Sequence, residues 1–152
     1  MSVDFGCIAW HEDSRWSANS LASTRDIGSI IDSLKAQQTN GGAIALIAIE
    51  DEFVIIARAL GDQMQMMISD VTYALDYEVA AELIEVLDLE FPEEEDESQP
   101  GGDLDLLNDL GVSEMELLSI LDDTELYPDE QLEAIANRLG FGDQFNQVIE
   151  SN

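Results

Sequence analysis

The chain has 152 residues, with 34 Asp or Glu against 5 Lys or Arg, a formal net charge of −29, and 45% hydrophobic residues. An ordinary apolar fraction under so negative a surface excludes a direct nucleic-acid binder, which needs Lys and Arg to displace counterions from phosphates. It sets the chain against an anionic membrane, and it argues against a wholly disordered acidic polymer.

The single cysteine, Cys7, has no partner for an intramolecular disulfide or for a thiolate zinc site, and it suits a reducing compartment. Met1–Phe5 lacks the basic start and apolar stretch of a signal peptide. The longest apolar run, Ala43–Ile49, falls far short of the roughly 20 residues that span a bilayer. A cytoplasmic protein is expected.

Val3–Trp10 reads as a strand, with a short partner at Trp16–Ala18 after the polar turn HEDSR. Asp26–Gln37 places Ile27, Ile30, Ile31 and Leu34 at helical spacing and stops at Asn40-Gly41-Gly42. AIALIAI and FVIIARAL, separated by Glu50-Asp51-Glu52, predict a hairpin. Both runs are apolar on alternate sides, so the sheet must be covered on both faces. The flanking helices are one cover, and a second copy of the protein, hence a homodimer, is a candidate for the other. Gln63–Ile68 alternates as a third, half-exposed strand. Ser69-Asp70 then opens a helix carrying Tyr73, Tyr77, Ala80, Ile84 and Leu87. The resulting order, ββαβββα, predicts an α+β domain over residues 1–87 with a mainly antiparallel sheet.

Residues 88–102 contain FPEEEDESQPGG, with five consecutive acids from Glu93 to Glu97 and no base. Such a run repels itself and buries nothing, which predicts an acidic Pro/Gly linker. Residues 103–152 read as a small all-α domain. Leu104, Leu107 and Leu110 end at Gly111, and Ser113 with Glu116 forms a capping-box pattern. Pro128, Asp129 and Glu130 open a helix that buries Leu132, Ile135, Ala136 and Leu139 and stops at Gly140. Asp143 opens a last helix with Phe145, Val148 and Ile149.

Catalytic constellations are absent from this pattern. Cys7 and His11 are four residues apart, about 13 Å along a strand, and no other Cys or His completes a zinc shell. DDTELYPDEQLE has the length of a calcium loop, but Leu126 and Tyr127 stand where a ligand and the obligatory glycine belong. GDLDLLND fails likewise at Leu107. Gly41-Gly42 and Gly101-Gly102 lack the Lys-Ser/Thr of a phosphate loop. No metal, cofactor or catalytic residue is expected, and the protein reads as a non-enzyme.

The elements Gly102-Asp103-Leu104-Asp105-Leu106-Leu107, Asp109-Leu110-Gly111, Tyr127-Pro128-Asp129 and Arg138-Leu139-Gly140-Phe141 carry a resemblance to the bacterial tRNA adenosine deaminase-associated proteins. The EDSRW turn, the hairpin and Ile68-Ser69-Asp70 follow the same order more loosely. The resemblance supplies no catalytic residue. The deaminase itself needs a His-x-Glu and a Pro-Cys-x-x-Cys, and His11-Glu12-Asp13 does not provide the first nor any stretch the second. The resemblance implies an accessory role beside that enzyme, whose tRNA-binding surface is basic. The expected function is therefore a non-catalytic acidic interaction protein that regulates or assists the deaminase by electrostatic docking, without touching nucleic acid or membrane itself. The expected partner-binding residues are Glu93, Glu94, Glu95, Asp96, Glu97, Asp103, Asp105 and Asp109, with specificity from an apolar patch on the helical part. Two alternatives stay open: a nucleic-acid mimic that inhibits another basic protein, and a small-ligand binder or hydrolase in the sheet domain.

Overall fold

The computed structural model describes residues 5–21, 24, 26–37, 41–123 and 125–151; Val3 and Asn40 of the expected elements lie outside these. Among the described residues, six strands form one sheet: β1 (Phe5–Glu12), β2 (Arg15–Ser20), β3 (Ala43–Ile49), β4 (Phe53–Leu60), β5 (Gln63–Ile68) and a two-residue β6 (Gly101–Gly102). Their order across the sheet is β2-β1-β3-β4-β5-β6, and every neighbouring pair is antiparallel. Five α-helices accompany them among the described residues: α1 (Ile27–Gln37), α2 (Glu78–Val86), α3 (Glu114–Leu121), α4 (Pro128–Leu139) and α5 (Gly142–Ser151). The α+β class and the ββαβββα order of the first part agree with the sequence reading.

Successive side chains of a strand point to opposite faces, and β3 is buried throughout. Ile47, Ile49, Phe53 and Ile55 join Ile30 and Leu34 of α1 and Leu83 and Ile84 of α2 in one apolar cluster. Ile44, Leu46, Val54 and Ile56 face the other way, onto Leu117 of α3, Leu132 and Ile135 of α4, and Phe145 of α5. The sheet is therefore the middle of three layers. The second face, for which a second copy was one candidate cover, is closed by the chain's own helices. Packing accordingly does not separate residues 1–87 from 103–152, since both contribute to this second cluster.

The acidic stretch between them is held at both ends. Pro92 is buried, and the Gln99 carbonyl accepts a hydrogen bond from the Val71 amide at 2.9 Å. Gly101-Gly102 then pairs with β5 as an edge strand. Gly102 has φ of 101°, and a Cβ there would lie 2.5 Å from the Met66 carbonyl oxygen, so only glycine permits this approach.

Two helical expectations are corrected. The single helix after Ser69-Asp70 is divided into a 3-10 turn (Val71–Leu75) and α2. Between them Tyr77 is extended (φ −127°, ψ 125°), which brings the rings of Tyr73 and Tyr77 onto Phe53 at 4.8 and 5.2 Å. Leu104, Leu107 and Leu110 lie on turns and a short 3-10 segment (Asn108–Leu110) rather than on an α-helix. The Leu106 carbonyl, which a helix would use internally, accepts instead from Arg58 Nη1 at 2.9 Å.

The remaining helix ends follow local chemistry. Ser113 Oγ accepts from the Glu116 amide at 3.2 Å, a cap worth about 1 kcal/mol. Glu130 accepts from the Tyr127 amide at 3.0 Å, and Gly140 ends α4 in the left-handed region at φ 105°.

Candidate functional site

The eight acids singled out by sequence take different places. Glu93, Glu94, Glu95, Asp96 and Glu97 are exposed, as is Asp105. Within the run, the Asp96 carboxylate accepts from the Glu93 amide at 2.8 Å, so the segment turns on itself. Asp103 works inside the fold. Its carboxylate accepts from the Met66 amide at 3.0 Å and its own amide donates to the Met66 carbonyl at 2.8 Å, which extends the edge of the sheet.

Asp109 is also occupied. It receives two hydrogen bonds from the guanidinium of Arg58, at 2.5 Å from Nη1 and 3.0 Å from Nη2. Arg58 lies in the middle of β4 and is 4% exposed, on the face covered by the C-terminal helices. Those hydrogen bonds hold the Asp109 carboxyl below the usual carboxylate range, with partial burial opposing them. Asp103 and Asp109 thus fasten the C-terminal part to the sheet.

A different group of acids converges. The β3–β4 turn, the residues after β5, the Ser98–Pro100 segment and the α3–α4 connection meet around a cleft of about 380 Å³. Among the described residues its lining includes Asp51, Glu52, Asp70, Asp122 and Asp123, with Tyr73 and Tyr127, and no Lys, Arg or His. Each acid is set by its own backbone. Glu50 and Asp51 both have positive φ, 48° and 58°, and the Glu52 amide donates back to the Ile49 carbonyl at 2.8 Å. This tight turn projects Asp51 and Glu52 beyond the sheet. Asp70 caps the 3-10 turn by accepting from the Thr72 amide at 2.9 Å. Ser69 Oγ accepts from the Val54 amide at 2.9 Å, which ties this corner to β4. On the opposite wall, the buried Gln131 amide donates to the carbonyls of Leu121 and Asp123 at 3.2 and 3.4 Å.

Tyr73 hydroxyl donates to Glu52 at 2.9 Å. Burial first, then this bond and the charge of Glu52, push its phenol up to about 12. The tyrosine therefore stays a neutral donor that steadies Glu52. Tyr127 is 66% exposed at the rim. Five acidic residues with no Lys, Arg or His among the described lining residues make this cleft negative, and Tyr73 and Tyr127 border it.

The residues considered for catalysis sit elsewhere. Cys7 is fully buried and its thiol is pushed up to about 12 by that burial. His11 packs on Trp16 at 5.0 Å, and Trp16 on Phe141 at 4.8 Å. Pro128 to Glu133, the second half of the stretch with calcium-loop length, is the start of α4. Among the described residues no three of His, Cys, Asp and Glu are grouped to hold a metal ion. The buried polar or charged residues among them are Arg58 and Gln131, so no carboxylate pair is buried. No described helix is long and apolar enough to cross a membrane.

The cleft was missed by sequence reasoning because its acids come from three separated segments. The available signal was local: Glu50-Asp51-Glu52 must protrude where two wholly apolar strands reverse.

Fold and site together define an antiparallel sheet protein closed by helices on both faces, with a carboxylate-lined cleft at one end. Residues 4–142 match the family described as Rv3753c-like tRNA adenosine deaminase-associated protein, and the chain belongs to that family. It is similar to Protein Rv3753c of Mycobacterium tuberculosis (strain ATCC 25618 / H37Rv), with 38% identity over 156 residues, 96% of this chain and 87% of that protein. No solved structure gives a significant match.

Proposed function

We propose that this protein is a non-catalytic accessory protein that docks on a basic partner through the acidic cleft, and that the partner is the tRNA adenosine deaminase. The observation that carries the reading is the cleft itself: five acidic residues from three segments around one cavity, with no base among its described lining residues. The net charge of −29 supports it by drawing a basic surface from a distance. The family description supports the choice of partner. The exposed run Glu93–Glu97 contributes to approach rather than to the seat.

The test is a titration against the deaminase of the same organism, with and without tRNA, at about 0.1 M and about 1 M salt, where screening lengths are roughly 10 and 3 Å. Saturable binding that weakens with salt is expected. Replacing Asp51, Glu52, Asp122 and Asp123 by their amides should weaken it about tenfold or more, at a few tenths to about 1 kcal/mol per exposed charge contact. Neutralising Glu93–Glu97 should lower mainly the association rate. Competition by tRNA identifies an occupant of the tRNA surface, and tolerance of tRNA an adaptor. Undiminished binding by the cleft variant sinks the site, and no binding in any condition sinks the partner.

A further inference from the structure

We infer that the groove adjoining the acidic cleft is the seat for an apolar side chain of the partner, so that the bound segment is an amphipathic basic one. The inference rests on the docking reading above and names what that site takes. The groove, of about 310 Å³, lies against α3 and is lined by Met115, Leu118, Leu121 and Pro100, with Ser69, Ser119 and Asp122. Ser69, Pro100, Leu121 and Asp122 line the cleft as well, so the two cavities adjoin and share a wall.

α3 is richer in apolar residues than its own core requires. It carries Met115, Leu117, Leu118, Ile120 and Leu121, yet only Leu117 is fully buried. Met115 is 81% exposed, the highest among the exposed large apolar side chains. Met115, Leu118 and Ser119 stand at i, i+3 and i+4 on one stripe of α3, the C-cap Asp122 follows at i+7, and all four line the groove. An unbranched methionine at the rim adapts to varied apolar partners.

Charge selects the occupant. A second copy carries the same −29 and is repelled, as is an anionic membrane. A partner segment with Lys or Arg three or four residues from a bulky apolar residue meets both halves at once. On a helix those positions lie about 5–6 Å apart on one face, a match for two cavities that share a wall. The carboxylates supply approach and orientation, and the groove supplies the part of the affinity that salt does not remove.

Two synthetic 14-residue peptides test this, one with Leu and Lys on adjoining helical faces, the other with every Leu replaced by Ser at equal charge. The full chain is titrated with each at about 0.15 M and about 1 M salt, with the methionine methyl groups followed by NMR. The Leu/Lys peptide should bind about tenfold more tightly or better, retain saturable binding at high salt and shift the Met115 methyl. The Ser/Lys peptide should bind only at low salt and leave Met115 unmoved. Met115→Ser, at an exposed position, should weaken the Leu/Lys peptide and spare the Ser/Lys peptide. Equal binding of the two peptides, or Leu/Lys binding unchanged in Met115→Ser, overturns the groove while leaving acidic docking intact. Failure of both peptides at low salt overturns the docking reading and this inference with it.

Discussion

Replacing Asp109 by Asn tests whether a single carboxylate fastens the C-terminal layer to the sheet. The Arg58 side chain is 5% exposed and that of Asp109 62%. The guanidinium has two hydrogen bonds to Asp109 and one to the Leu106 carbonyl, while Nε has no partner. Removing one member of a wholly buried pair costs about 3–5 kcal/mol, because a charge is left without compensation. Here the open side of Asp109 admits water, which reduces the expected cost to about 1.5–3 kcal/mol. For a chain of this size that is a fall in Tm of roughly 5–10 °C. Urea or thermal unfolding of the wild type, Asp109→Asn, Arg58→Met and the double variant measures it as a cycle. Arg58→Met removes the buried charge from an otherwise apolar strand and should be near neutral or stabilising. In its background Asp109→Asn should cost almost nothing.

The pH dependence has a defined sign. The Asp109 carboxyl is lower in the folded chain than its ordinary value of about 3.9. Its contribution is therefore complete above that value and is lost as pH falls through the depressed folded value. The difference between wild type and Asp109→Asn should be flat from about pH 5 upward and shrink below about pH 4. A loss under about 0.5 kcal/mol near pH 7, or additivity in the cycle, refutes the reasoning.

Asp51 occupies the second left-handed position of the β3–β4 turn, where glycine is favoured. Asp51→Gly should raise stability by about 0.5–1 kcal/mol in urea unfolding while weakening the deaminase complex, a separation of fold from docking. Gly102→Ala must move the backbone at Met66 and Met67 and should cost about 2–4 kcal/mol, with faster amide exchange along β5. Gly61→Ala, also at positive φ but with nothing near its added methyl, should cost only about 1 kcal/mol in the same assay. Cys7, buried with its thiol near 12, should resist a thiol reagent at about pH 8 until the chain is unfolded by urea. Rapid native labelling would show that β1 opens.

Strands and helices whose signal is local were legible. Alternation marked β5, the doubly apolar runs marked β3 and β4, and Ser113, Pro128 and Gly140 marked the ends of α3 and α4. The demand of the sheet for two covers was also legible, but its second cover was not. Nothing in the spacing of Leu132, Ile135 and Phe145 says which surface they pack on. The acids were hardest. Arg58 alone within FVIIARAL signals that some carboxylate must come to it, yet 34 are available and the one chosen lies 51 residues away. Asp103 is likewise claimed by Met66 at a separation of 37. A count of charges therefore treats as free surface two acids that the fold consumes. It overlooks a cleft assembled from Asp51, Asp70 and Asp122, which adjoin only after folding.

The placement of the C-terminal helices also dictates an order of events during synthesis. Cys7, Ile44, Leu46, Val54, Ile56 and Met67 all lie within the first part of the chain, but the C-terminal residues that cover them begin at Leu104. At about 5–20 residues per second, translation of residues 103–152 takes roughly 3–10 s. Through that interval a strand pair that is apolar on both sides stands with one side uncovered. The acid run Glu93–Glu97 is translated just before its cover. Like charge on neighbouring nascent chains opposes contact between such bare sheets. The order of the chain thus exposes an apolar face before it supplies the layer that covers it.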